Sequence, residues 1–243
     1  MTKTISSTIA SFSLLLALCA APPAHAGYEE GLSAFRAGNY STALAELTPA
    51  AKGGNADAQQ LLGHMYYMGQ GVAQDFAQAL NWHRKAAAQG KHESEYVIGT
   101  MYYSGKGVQQ DYHNAMQWLQ KAAAGGHADA QYMLGAMYFT GKGIPQDYQQ
   151  SVAWFRRAAE QGQSEAQRLL GLMHLHGVGG VPKDNVIAYM LWNLSAAAGN
   201  MEASDLRNDL AQELTPRQLE EGQALSTRWQ PHSPLPTHSS TGN

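Results

Sequence analysis

The stretch Leu62-Gly63-His64-Met65-Tyr66 decides the fold, because close variants of it recur at a fixed interval along the chain. Glycine is its second residue each time, and these glycines stand 36 residues apart: Gly63, Gly99, Gly135 and Gly171. The later versions read Ile98-Gly99-Thr100-Met101-Tyr102, Leu134-Gly135-Ala136-Met137-Tyr138 and Leu170-Gly171-Leu172-Met173-His174. A fixed period of this length predicts a solenoid, in which each unit buries its apolar face only against its neighbours.

One unit, Asn55 to Gly90, predicts two helices joined by a sharp turn. Asp57 marks the start of the first, helix A, because an acid in a first turn faces the positive end of the backbone dipole. Apolar residues at spacings of three and four then form one face of this helix: Ala58, Leu61, Leu62, Met65 and Tyr66. Gly69-Gln70-Gly71 ends helix A, since two glycines allow the positive φ angles that a sharp turn needs.

Helix B follows an aspartate that is suited to cap its first free N–H groups, an interaction of about 1 kcal/mol. These aspartates are Asp75, Asp111, Asp147 and Asp184. Helix B of the first unit carries Ala79, Trp82 and the pair Ala86-Ala87. A glycine inside helix A costs about 1 kcal/mol relative to alanine. We therefore predict that Gly63 and its equivalents let the small alanines of helix B approach closely, with the tryptophan beside that contact.

These motifs together closely resemble the Sel1-like repeat family, which is related to the tetratricopeptide repeats. The matching features are Leu-Gly-x-x-Tyr in helix A, the Gly-x-Gly-Val loop, the capping Asp, Ala-x-x-Trp and the Ala-Ala pair, from about Asn55 to Asn200. The resemblance implies an all-α fold, a right-handed α-solenoid of stacked antiparallel helix pairs. It also implies an adaptor role in envelope assembly, signalling or host contact. The fourth unit departs from the pattern: its loop is one residue longer, and Trp192 stands one place from its expected position.

The ends of the chain differ from the repeats. Residues 1–26 predict a secretion signal, because Lys3 precedes the apolar run Ile9–Ala21 and Ala24-His25-Ala26 matches a small-x-small cleavage site. The remaining segments are a degenerate first repeat (27–54), four repeats (about 55–90, 91–126, 127–162 and 163–200), capping helices (201–229) and a disordered tail (230–243).

Cys19, the only cysteine, lies inside the signal, and Leu18 stands where a lipoprotein signal has a small residue. We therefore expect an exported protein, periplasmic or secreted, that is not a lipoprotein. Removing Lys3 with the signal leaves 15 basic against 19 acidic side chains, a net charge of about −4. This mild acidity argues against nucleic-acid binding. No later segment is apolar enough to form an integral membrane span.

Catalytic and metal-binding motifs find little support, and we predict no cofactor. His174 and His176 are two apart on helix A and point in different directions. Lys106 and Lys142 stand between glycines, but no P-loop string is present, so we interpret them as solvated loop tips. Some cysteine-rich secreted Sel1-like proteins are described as β-lactam-binding or β-lactamase proteins. That function stays an alternative, although the exported chain has no cysteine and no Ser-x-x-Lys motif.

A binding surface is the remaining candidate. Helix A usually lines the inner groove of such solenoids, and large rings with a polar tip are favoured binding anchors. The candidate groove residues are Gln60, His64, Tyr67, Tyr96, Tyr103, Tyr132, Phe139 and Arg168. The alternative for Tyr67, Tyr103 and Phe139 is packing between adjacent units. We hypothesise a non-catalytic scaffold that binds a protein, a peptide or a cell-wall component; a purely structural spacer is the other non-catalytic alternative.

Overall fold

Twelve helices and no strand make up residues 23–241, the part of the chain that the computed structural model describes. The predicted signal therefore lies outside the described residues, except for its last four, which begin the first helix. The helices are α1 (Pro23–Arg36), α2 (Tyr40–Lys52), α3 (Ala56–Met68), α4 (Phe76–Ala87), α5 (His92–Ser104), α6 (Tyr112–Ala124), α7 (Ala128–Thr140), α8 (Tyr148–Glu160), α9 (Ser164–His176), α10 (Asn185–Ala197), α11 (Met201–Ala211) and α12 (Pro216–Arg228).

Each helix packs mainly on its neighbours in the chain, which is the arrangement of a solenoid. Five antiparallel pairs, from α1–α2 to α9–α10, stack one on the next, and α11 and α12 pack against α10. The predicted right-handed α-solenoid is thereby confirmed. We call α3, α5, α7 and α9 the A helices, and α4, α6, α8 and α10 the B helices.

The predicted helix boundaries are confirmed at both ends of the loop that joins A to B. The aspartate before each B helix accepts hydrogen bonds from backbone N–H groups of the first turn: Asp75, Asp111, Asp147 and Asp184. The glycine after each A helix is left-handed, with φ between 68° and 73°: Gly69, Gly105, Gly141 and Gly177. The local sequence therefore places the turn without help from distant residues.

The repeated glycines do face helix B closely, but the residue opposite each one was predicted wrongly. A Cβ at Gly135 would lie 2.5 Å from Cδ1 of Phe155, a fully buried ring. The side chain in this position is the residue after the tryptophan, and the four that face the glycines are His83, Leu119, Phe155 and Trp192. Trp192 is thus not a displaced member of the tryptophan series, because it occupies the glycine-facing position, where its Nε1–H donates to the Arg168 carbonyl at 2.9 Å.

Trp82, Trp118 and Trp154 pack instead against the preceding helix pair. Trp82, for example, belongs to the core cluster that contains Ala43 and Leu47 of α2. A basic side chain three residues later lies over each of the three rings, 4.2, 4.2 and 4.6 Å from the ring centre: Lys85, Lys121 and Arg157. These tryptophans therefore hold successive B helices together, and a cation lies over one face of each ring.

The C-terminal tail differs from the disordered segment that its composition predicts. Leu235 is 5 % exposed and lies in the core cluster formed with α8, α9 and α10, and its N–H donates to Glu160 at 3.1 Å. Ser239 donates its N–H and its hydroxyl to the carboxylate of Asp184, at 2.7 and 3.0 Å. Residues 230–241 are ordered because Leu235 is buried in an apolar cluster and several carboxylates accept hydrogen bonds from the rest of this polar segment.

The aspartate cap of α10 is expected to contribute more stability than the cap of α4. We expect Asp184→Ala to lower the free energy of unfolding by about 3 kcal/mol and Asp75→Ala by about 1 kcal/mol. The reason is that Asp184 is 3 % exposed and also holds Ser239, whereas Asp75 is exposed and caps only its own helix. Urea unfolding of both variants measures the difference. Equal losses would show that the tail contact adds nothing.

Candidate functional site

A groove runs along the face of the stack where successive A helices lie side by side. Its first part consists of two adjoining cavities of about 470 and 340 Å³, which share His64, His83 and Val97. The larger cavity is also lined by Tyr28, Leu32, Phe35, Asp57, Gln60, Leu61 and Glu93, and the smaller one by Tyr67, Met68, Tyr96 and Thr100. Four predicted residues, Gln60, His64, Tyr67 and Tyr96, therefore lie together in this part of the groove.

His83 lies at the base of both cavities and is the groove residue that sequence reasoning missed. It is 2 % exposed, and its Nδ1 lies 3.1 Å from the hydroxyl of Ser94, while its Nε2 has no hydrogen-bond partner among the described residues. Burial lowers the pKa of His83 to about 4, so the imidazole is neutral at pH 7. The signal was available, because His83 stands 20 residues after Gly63, where later repeats have Leu119 and Phe155.

A row of acids follows the N-terminal ends of the A helices. Each acid accepts a hydrogen bond from the residue that precedes the next odd-numbered helix (α5, α7, α9 or α11), 34 or 35 positions later. The pairs are Asp57–Lys91 (2.6 Å), Glu93–His127 (2.8 Å), Asp129–Gln163 (3.2 Å) and Glu165–Asn200 (2.6 Å). The hydrogen bond from His127 holds the pKa of Glu93 below its usual value. Asp57 was predicted as a helix-start signal, and the structure shows that it and its equivalents in later repeats also connect neighbouring repeats.

The other predicted groove residues lie on α5, α7 and α9, and several side chains along the groove make contacts within the protein. Tyr96, at the edge of the smaller cavity, stacks on His127 with ring centres 4.5 Å apart, and Tyr132 leans on Phe155 at 5.9 Å. Burial raises the pKa of both tyrosines. Arg168 bridges two carboxylates, with 3.0 Å contacts to each: Glu165 and Glu202. These side chains are half-buried, so each presents only part of its surface to the groove.

The aromatic residues near the C-terminal ends of the A helices pack against the first residue of the B helix. The edge-to-face pairs are Tyr67–Phe76 (5.1 Å between ring centres), Tyr103–Tyr112 (5.3 Å) and Phe139–Tyr148 (5.5 Å). Each of these pairs lies within one repeat. Packing between adjacent units, the alternative for Tyr67, Tyr103 and Phe139, is supported instead by the core clusters, since each of the three packs against a cluster that includes apolar residues of the next repeat. It does not remove them from the surface, since all three remain partly exposed.

The loop lysines are not simply solvated tips, as the sequence had indicated. Lys106 Nζ lies 5.3 Å from the ring centre of Tyr67 and donates to its hydroxyl at 3.1 Å. Lys142 Nζ lies 4.7 Å from the ring centre of Tyr103 and 5.4 Å from that of Tyr112. Each lysine thus lies over the aromatic pair of the preceding repeat, and its exposed ammonium is attracted to two ring faces.

Residues 23–241 contain neither a metal-binding cluster nor a membrane-spanning helix. No group of three or more His, Cys, Asp or Glu side chains in this part of the chain is placed to hold a metal ion. None of the helices described there is long and apolar enough to cross a bilayer.

Comparisons with known proteins agree with the geometry. The sequence profile of the Sel1 repeat matches residues 56–91, 92–127, 128–163 and 164–200. A Sel1 repeat protein from Oxalobacter formigenes is 32 % identical, with a TM-score of 0.69, and the alignment covers 75 % of this chain and 72 % of that one. A protective antigen of uropathogenic Escherichia coli strains, with an SLR fold, is 34 % identical with a TM-score of 0.76. That alignment covers 85 % of this chain and 45 % of the antigen. No curated protein matches with significance.

Proposed function

Because this chain belongs to the Sel1 repeat family, we propose that it is a non-catalytic adaptor, exported to the bacterial envelope or exterior, that binds a protein or peptide in its A-helix groove. The Sel1 repeat fold generally mediates protein–protein interaction, and its members are typically scaffolds without catalytic activity.

The observation that carries the proposal is the pair of adjoining cavities around His64 and His83. Their walls combine apolar side chains, among them Leu61 and Val97, with polar ones such as Asp57. A concave surface that is mostly apolar and carries a few placed polar groups is the usual form of a binding site. Together the two cavities can accommodate several residues of an extended peptide.

The proposed location rests on the N-terminal sequence and on one relative. Residues 1–26 have the three parts of a secretion signal. The similar Escherichia coli protein is a protective antigen, which is a property that favours proteins accessible from outside the cell. Helix α1 begins at Pro23, so cleavage after Ala26 would shorten it by one turn and leave Tyr28 and Phe35 in the groove wall.

The proposed binding site is tested with a charge placed in the groove and a matched charge on the opposite helix layer. His64→Glu adds an anion beside the cavities, whereas Asn81→Glu adds one at an exposed position of α4. Random peptides are selected by display against the 27–243 protein, and their affinities for both variants are measured. We expect His64→Glu to weaken binding at least tenfold and Asn81→Glu to leave it unchanged, because only the first alters the site.

A second experiment, with the full chain, tests export. The full chain is expressed in Escherichia coli and released from the periplasm, and its intact mass is expected to correspond to a chain that starts at Gly27. Retention of the whole protein in the cytoplasm would contradict the proposed location. Equal binding by the parent and by His64→Glu, with circular dichroism unchanged, would contradict the proposed groove.

A further inference from the structure

The middle residue of each Gly-x-Gly loop lies at the aromatic pair of the preceding repeat. Gln70 reaches the Phe35–Tyr40 pair and donates to the hydroxyl of Tyr40 at 3.3 Å. Lys106 lies over Tyr67 and Phe76, 5.3 and 5.8 Å from the ring centres. Lys142 lies over the next pair in the same way. At three successive repeat boundaries, a long polar side chain of the loop thus contacts the aromatic pair of the preceding repeat.

The fourth loop breaks this series, because its middle residue is Val178. The pair that Val178 adjoins, Phe139 and Tyr148, keeps the edge-to-face geometry of the others, with ring centres 5.5 Å apart at 63°. Tyr148 is 39 % exposed, one of few large apolar side chains this exposed among the described residues. Valine is three heavy atoms shorter in reach than lysine, so it cannot cover both rings.

An open pocket of about 150 Å³ lies at this place. Its walls are the aromatic pair, the apolar residues of α9 and the loop, and one histidine: Phe139, Tyr148, Leu172, Met173, Val178 and His176. In the preceding repeat boundary the residues at these positions are Tyr103, Tyr112, Ala136, Met137, Lys142 and Thr140. The pocket therefore occurs where each of the three earlier loops places a long polar side chain, which is a lysine in the second and third.

We propose that this pocket receives a lysine side chain of the bound partner, which takes the place that Lys106 and Lys142 occupy at the two preceding boundaries. The inference rests on the proposed adaptor function and names the chemistry of one contact within it. The aliphatic part of the incoming lysine packs on Leu172 and Val178, and its ammonium lies over the two rings. Tyr148 is exposed, and its hydroxyl can accept a hydrogen bond from this ammonium, as the hydroxyl of Tyr67 accepts one from Lys106.

The test compares two capped tripeptides, Gly-Lys-Gly and Gly-norleucine-Gly, which differ in whether an ammonium or a methyl group ends the side chain. Each is titrated into the 27–243 protein, and binding is followed by NMR of the Val178 methyl groups and of the Phe139 and Tyr148 rings. We expect millimolar affinity for the lysine peptide and about two- to fivefold weaker binding of the norleucine peptide, the range of an exposed cation–π contact.

Val178→Lys provides the decisive variant, because it rebuilds the internal contact and fills the pocket. It is expected to weaken binding of the lysine peptide at least tenfold. Gln70→Lys, which places a lysine at the equivalent position of the first loop, is expected to leave this binding unchanged. Equal binding of the two peptides, or unchanged binding by Val178→Lys, would overturn the inference. If His64→Glu abolishes binding of the selected peptides but Val178→Lys does not, the groove proposal is supported and the proposed lysine pocket is contradicted.

Discussion

Gly135→Val is expected to lower the free energy of unfolding by about 3 kcal/mol, the cost of forcing extra carbons into a closely packed interior. A Cβ at Gly135 would lie 2.5 and 2.7 Å from two carbons of the Phe155 ring. That ring is completely buried and is fixed by the helices on either side. Urea unfolding followed by far-UV circular dichroism measures the loss, and the transition is examined for a separate step, since repeat arrays can unfold in parts.

Ala153→Val is the matched control for this substitution. Ala153 lies on α8 two residues before Phe155 and is exposed, so a valine there costs only its weaker helix propensity, about 0.6 kcal/mol. Phe155→Leu, which copies Leu119 of the preceding repeat, should recover part of the loss when it is combined with Gly135→Val. A valine that is tolerated at residue 135 as well as at 153 would show that the helices of this unit can move apart at little cost.

Acidification from pH 7.5 to pH 5 is expected to remove about 2 kcal/mol of stability for each of two buried histidines. Burial lowers the pKa of both His83 and His174 to about 4. Below pH 6.5 the unfolded chain therefore takes up protons that the folded protein excludes. The stability from this source is complete above pH 6.5 and is lost between pH 6.5 and 4, and it is not recovered at lower pH.

The surroundings of the two histidines explain why neither accepts a proton readily. His83 faces His64, whose charge opposes its protonation, and Glu93 favours protonation too weakly to offset the burial. His174 is fully buried near Arg156, and its Nδ1 lies 3.3 Å from the carbonyl of Pro182. The Nε2 atoms of both histidines lack a hydrogen-bond partner among the described residues, so a proton placed there would be buried without compensation.

His83→Leu tests the acid effect with a side chain that the protein already uses. Leu119 occupies the equivalent position opposite Gly99, so leucine fits this site. The leucine leaves the buried Ser94 hydroxyl without its His83 partner, so we expect the variant to be about 1 kcal/mol less stable than the parent at pH 8 and to lose about 2 kcal/mol less by pH 5. A variant with the same pH dependence as the parent would show that His83 does not resist protonation in the folded state. Measurements stay above pH 4.5, where the lowered pKa of Glu93 adds no further loss.

Local signals in the sequence were sufficient to predict the architecture. Each Gly-x-Gly turn and each capping aspartate acts over a few residues, and the same set of signals recurs every 36 residues or so. Each therefore has the same meaning wherever it occurs, and the helix pairs and their stacking follow from repeating one unit. The candidate groove also followed from this logic, because one face of helix A packs on helix B and the other face remains available.

Only the tertiary structure decided which side chains meet across the repeats. The glycine partner is the residue after the tryptophan, since the rotation of helix B about its axis, which spacing alone does not determine, turns that residue inward. The tail is ordered because Leu235 and Ser239 find an apolar cluster and a carboxylate that come from distant parts of the chain. The pocket beside Val178 likewise depends on three helices at once. The periodic sequence determines the helix pair that each repeat forms, whereas the particular side-chain contacts between repeats depend on the few positions where neighbouring repeats differ.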